Sequence, residues 1–98
     1  ENLMEILMQV DFEDGETGGR YVLRTEDGEA VSTFSKAGDK IVIIDHTEVD
    51  DALQGHGYGQ MLIERIVADM RKQCKKIVPL CPSASQFRKH PEWADVLN

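Results

Sequence analysis

Apolar positions change their spacing partway along the chain. Up to His46 they fall in short runs bounded by turn residues, and residues 20–25, 29–35 and 40–46 each read as an antiparallel strand. Glu26-Asp27-Gly28 and Ala37-Gly38-Asp39 supply the turns between them. The third run carries Ile41, Val42, Ile43 and Ile44 in succession, which predicts an interior strand covered on both faces. After a polar stretch the period becomes helical: over residues 60–73, Leu62, Ile66 and Met70 form one stripe with Ile63 and Val67 beside it. Arg71 and Lys72 suit the last turn of that helix, where cations meet the negative end of its dipole. Residues 76–81 read as a further strand, with Pro79 at a position that needs no ladder donor and Pro82 as the stop. Ser83 stands where an N-cap is expected, residues 84–89 form a short helix, and Pro91 disfavours helical geometry at His90. Strands, helix, strand and helix in this order imply an α/β or α+β fold with a parallel crossover through the long helix.

The chain has 98 residues and no internal repeat, so a single domain over residues 1–98 is expected, with no separate substrate domain. Eleven Lys and Arg stand against 18 Asp and Glu, a formal net charge of -7. That balance disfavours binding along a nucleic-acid backbone and favours cations such as amines. The two cysteines, Cys74 and Cys81, make neither a disulfide framework nor a metal-spaced pair, and Cys74 at the tail of the long helix reads as structural. No membrane span and no signal segment is read in the chain, ENLMEILMQV lacking a basic start, so a cytoplasmic location is expected.

The chemistry-bearing stretch is Gln54-Gly55-His56-Gly57-Tyr58-Gly59, between the buried strand and the amphipathic helix. Glycines at alternate positions leave the backbone unobstructed, so consecutive amides can face one anion, and the helix start adds unpaired N–H groups and a positive dipole end. The spacing is neither that of the dinucleotide fingerprint nor that of a Walker loop, since no Gly-Lys-Ser or Gly-Lys-Thr follows. By itself it serves equally as a flexible turn into the helix or as a diphosphate cradle.

Gln54, Gly57 and Gly59 match the pattern Q/R-x-x-G-x-G/A, and here the sequence resembles the GNAT superfamily of acetyl-coenzyme A-dependent N-acetyltransferases. It is most similar to small single-domain members of the bacterial YjdJ and human NATD type, through His46-Thr47-Glu48-Val49, the Gly55 to Gly59 loop, Cys81-Pro82 and His90-Pro91-Glu92-Trp93. The resemblance extends over residues 19–97. It implies a minimal GNAT-like fold: a mixed, mostly antiparallel sheet, a long helix after the pyrophosphate loop and a short C-terminal helix. It further implies transfer of an acetyl group from acetyl-coenzyme A to a primary amine, on a small molecule or a protein lysine. The pantetheine arm would pair with backbone from His46 to Val49, and the pyrophosphate would lie on amides of Gly55, His56, Gly57, Tyr58, Gly59 and Gln60, with Gln54 beside them. Arg88 and Lys89 are the nearest cations for the ribose phosphate, or else simply line an exposed helical face.

Cys81 is the first candidate for catalysis, because in the resembled subfamily a cysteine at this place is the catalytic candidate. A thiolate there could accept the acetyl group or act as acid and base; the competing reading is a small buried apolar residue. His46 is the second, as a base near neutral pH or as a histidine bonded to backbone. Glu48 fits a base acting through water or a solvated carboxylate beside Asp45, Asp50 and Asp51, and His56 fits a phosphate contact or an exposed loop residue. His90 reads as structural, against Trp93. No zinc site is expected. About eighteen residues precede the first strand read here, too few for the paired N-terminal helices of larger GNAT members, so the cofactor half is the safer expectation. A catalytically weak module that binds acyl-coenzyme A or coenzyme A, or an interaction domain, is the alternative to an enzyme.

Overall fold

The computed structural model describes residues 10–80 and 83–98. Among them a five-stranded sheet has the order β1 (Val10–Asp14), β2 (Gly18–Thr25), β3 (Gly28–Lys36), β4 (Ile41–Val49) and β5 (Lys76–Pro79). The first three pairings are antiparallel and the last is parallel. The crossover into β5 runs through α1 (Tyr58–Gln73), and α2 (Ser83–Lys89) and a 3-10 turn (Pro91–Val96) complete the chain. This is the mixed, mostly antiparallel architecture that the resemblance implies.

Strand alternation sorts the side chains. Tyr21 and Leu23 of β2, Ala30 and Phe34 of β3 and Val42 and Ile44 of β4 are buried in one apolar cluster with Leu62, Ile63, Ile66, Val67 and Met70 of α1. All five helix residues of the predicted stripe are therefore in the core. Phe87, Trp93 and Val96 join the same cluster, which brings α2 and the 3-10 turn beside α1. Polar groups within this layer are bonded: the Tyr21 hydroxyl donates to Asp69 at 2.8 Å, and burial together with that carboxylate pushes the phenol's ionisation well up. Helix α1 closes with Cys74 in the left-handed region at φ 58°, while the Lys75 N–H returns to the Met70 carbonyl at 2.9 Å.

Two departures from the sequence reading matter for the site. β1 was not read as a strand at all, and it pairs along its whole length with β2, from Val10↔Leu23 to Asp14↔Gly19. β4 runs three residues past His46, and it does so through a bulge: Thr33 pairs with His46 while Phe34 pairs with Ile44, leaving Asp45 unmatched. The bulge shifts the inward parity from Val42 and Ile44 to Thr47 and Val49. β4 is an interior strand as expected, but Ile41 and Ile43 are only half-buried, so its cover is complete on the α1 face alone.

The C-terminal turn is clasped to α1 by ionic contacts. Arg71 grips the Asp95 carboxylate with two bonds of 2.7 Å, and the Lys76 ammonium donates to the Asp95 carbonyl. His90 stacks on Trp93 at 4.2 Å between ring centres and bonds Glu92 at 2.9 Å. The Arg71 bond holds the Asp95 carboxyl below its ordinary value, and the His90 bond does the same for Glu92. Lowered carboxylate pKa values stabilise the fold above the ordinary carboxylate range, and that contribution disappears as pH falls through the lowered values. Fluorescence of Trp93, the sole tryptophan, is therefore expected to report loosening of this segment below about pH 4, and Asp95→Asn to flatten that profile. An acid profile identical in wild type and variant would dismiss the clasp.

Candidate functional site

β4 and β5 pair only from Ile41↔Lys76 to Ile44↔Pro79, and the Leu80 N–H makes one more bond, to the Ile44 carbonyl at 3.1 Å. Pro79 brings no N–H to the ladder, and among the described residues the parallel pairing ends there while β4 continues to Val49. A cavity of about 290 Å³ lies by the extended end of β4, lined by Thr47 and Val49, by Gly59 and Ile63 of α1, by Ser85 and Gln86 of α2, and by Gln54. The Thr47 hydroxyl is held at 3.0 Å by that of Ser32, which is fully buried.

A second hollow of about 250 Å³ adjoins it, lined by Leu53, Gly55, Gly57, Tyr58 and Gln60 and sharing Val49, Gln54, Gly59 and Gln86 with the first. The chain reaches it through a 3-10 turn at Asp51–Leu53, whose Leu53 is buried, after which the Gln54 amide donates back to the Val49 carbonyl at 2.8 Å. Gly57 is the N-cap of α1, at φ 76°, and Gly55 has φ 84°. A Cβ at either position would meet no atom within 4 Å, so it would project into open space over the loop. No side chain caps α1 and no acidic residue stands in its first turn. The Tyr58, Gly59 and Gln60 amides belong to that first turn and lack intrahelical acceptors, whereas the Met61 N–H already bonds the Gly57 carbonyl. The positive end of a sixteen-residue helix thus faces the hollow uncompensated, an arrangement that fits a diphosphate.

The predicted cofactor residues divide accordingly. Val49, Gln54, Gly55, Gly57, Tyr58, Gly59 and Gln60 come together around the second hollow. The His56 ring is exposed and stacks on Tyr58 with centres 5.6 Å apart, and it lines neither hollow. Arg88 and Lys89 are exposed in the last turn of α2, where Ser85 and Gln86 are the residues that line the cavity. His46 and Glu48 alternate with the inward Thr47 and Val49, and so lie on the opposite face of β4, bonded to each other at 2.8 Å. Cys81 and Pro82 lie outside the described residues. At the outer end of β4, Glu48, Asp50 and Asp51 border an acidic hollow of about 470 Å³ with Thr47, Val49 and Gln54.

Sequence reasoning did not single out Ile63, Ser85 or Gln86 as site residues, and it took Thr47 only as backbone within the segment His46 to Val49, not as a side chain facing a cavity. Ile63 carried only a core signal, and Thr47 required the bulge to be known. Ser85 and Gln86 depend on how a short helix docks, for which local sequence has no marker.

A family model described as GCN5-related N-acetyl-transferase matches residues 20–96. Among solved structures, the solution NMR structure of a GCN5-like candidate N-acetyltransferase from Staphylococcus aureus is similar, with a TM-score of 0.69 and 27% identity over 92% of this chain and 89% of that one. No curated protein matches the chain.

Proposed function

Because the chain belongs to the GCN5-related N-acetyltransferase family, we propose that it moves an acetyl group from acetyl-coenzyme A to a primary amine, as a small single-domain member of the YjdJ and NATD type. The observation that carries this reading is the continuity of the two hollows, which share Val49, Gln54, Gly59 and Gln86 and lead from an uncapped helix start to the end of β4. Bound there, acetyl-coenzyme A supplies an activated thioester. The amides of Tyr58, Gly59 and Gln60 receive its diphosphate, Gly55 and Gly57 leave room for close approach, and the backbone of Thr47 to Val49 aligns its arm. His46 and Cys81 are the proposed proton-handling groups; His46 lies on the face of β4 opposite the cavity with Nε2 bonded to Glu48, so in this reading the acceptor amine approaches Nδ1 from that face.

Titration with coenzyme A is expected to shift backbone amide resonances concentrated between Val49 and Gln60. Silence of those amides at millimolar ligand would end the proposal. A second reading, a module that binds acyl-coenzyme A with little turnover, is favoured by one fact: among the described residues, those lining the cavity by the end of β4 include no titratable side chain. Release of free thiol from acetyl-coenzyme A across a panel of amines separates the two, since binding without release supports the module.

A further inference from the structure

The two hollows meet at four residues, of which three come from the β4 end and the glycine loop. The fourth is Gln86 of α2, which among the described residues of that helix borders both hollows. Its side chain is half-buried and makes no hydrogen bond to another described residue, although it faces the junction. Across from it Gln54 has committed an amide hydrogen to the Val49 carbonyl. A ligand that extends from the helix start to the end of β4 runs along the hollows that both carboxamides line, with Val49 also bordering both and Ile63 the first.

A primary carboxamide offers an N–H donor and a carbonyl acceptor in one plane, which complements a secondary amide and has no particular affinity for a phosphate or a methylene chain. We infer that Gln86 is a specificity-determining ligand contact: it pairs with an amide of the coenzyme's arm, and so separates an amide-bearing nucleotide thioester from a nucleotide that ends at its diphosphate. This rests on the coenzyme reading of the site. Its basis on α2 is distinct from the glycine loop, because Gln86 lies outside the Q-x-x-G-x-G pattern.

The test compares two ligands on two proteins by chemical-shift titration of the full chain: coenzyme A, and ADP as the probe that has a diphosphate and no arm. In Gln86→Leu the dissociation constant for coenzyme A is expected to rise about tenfold while that for ADP stays within about twofold of wild type. If Gln86→Leu does not give a dispersed spectrum, the neutral and similarly shaped Gln86→Met takes its place, with the same selective loss expected because it removes both the donor and the acceptor without adding charge beside the diphosphate. Equal affinities of wild type and variant for coenzyme A overturn the inference and leave the coenzyme site standing, as does a parallel loss for both ligands. Failure of wild type to bind coenzyme A overturns the site itself and this contact with it.

Discussion

Gly57→Val is expected to weaken coenzyme A binding by more than about tenfold, the largest functional effect of any single change in the loop. Two causes act together. Gly57 sits at φ 76°, where a side chain costs roughly 1–2 kcal/mol and a β-branched one more. Gly57 also lines the hollow in which the diphosphate is proposed to meet the amides, and the new side chain, whose Cβ meets no atom within 4 Å, adds bulk to that open space. Gly57→Ala separates these causes, since it carries the backbone penalty with little obstruction and should lose less affinity. Calorimetric titration reads the difference, and unchanged affinity in Gly57→Val would mean that the diphosphate lies elsewhere.

The largest effect on stability is expected at Ile66. It has no exposed surface, and it stands at the middle of the α1 stripe that packs on β2, β3 and β4. Ile66→Ala removes buried methyl and methylene groups from a layer with little room to relax, at a cost of roughly 2–5 kcal/mol. Domains of this size have only about 5–15 kcal/mol in total. A fall in Tm of roughly 10–30 °C should follow in a circular-dichroism melt. A loss under about 1 kcal/mol would indicate a core that collapses around the gap, contrary to the dense packing inferred from complete burial of Leu62, Ile66 and Ile77.

Legibility in the sequence followed the range of the interactions concerned. The α1 stripe was readable because Leu62, Ile63, Ile66, Val67 and Met70 all face one partner, the sheet, and their spacing records that directly. The β2–β3 hairpin was readable because its turn is local, with Thr25 bonding both the Asp27 N–H and the Gly28 carbonyl. β1 escaped notice because Asp11, Glu13 and Asp14 outweigh Val10 and Phe12; what makes it a strand is pairing with β2 and the contact of the Phe12 ring with Tyr21, tilted, and with Phe34, stacked. In the site, the loop glycines marked themselves through their backbone geometry. His46 did not reveal its face, because the bulge at Asp45 lies between it and the alternation that would have placed it. Gln86 left no local trace, since its relevance arises only when α2 docks beside α1.

That bulge also has a bearing on how this protein tolerates change. Counted from Ile41, the strand keeps one inside–outside reading frame up to Ile44 and the opposite frame from His46 onward, with Asp45 as the inserted letter. Substitutions on either side are therefore independent edits, one set addressing the core and the other the cleft. Regularising the strand is a different kind of event: with Asp45 kept and the bulge lost, His46 and Glu48 would turn inward and Thr47 and Val49 outward, replacing a neutral wall with a charged one. Deletion of Asp45 itself would instead leave Ile44 followed by an outward His46 and an inward Thr47, so that both the core face and the cleft face survive.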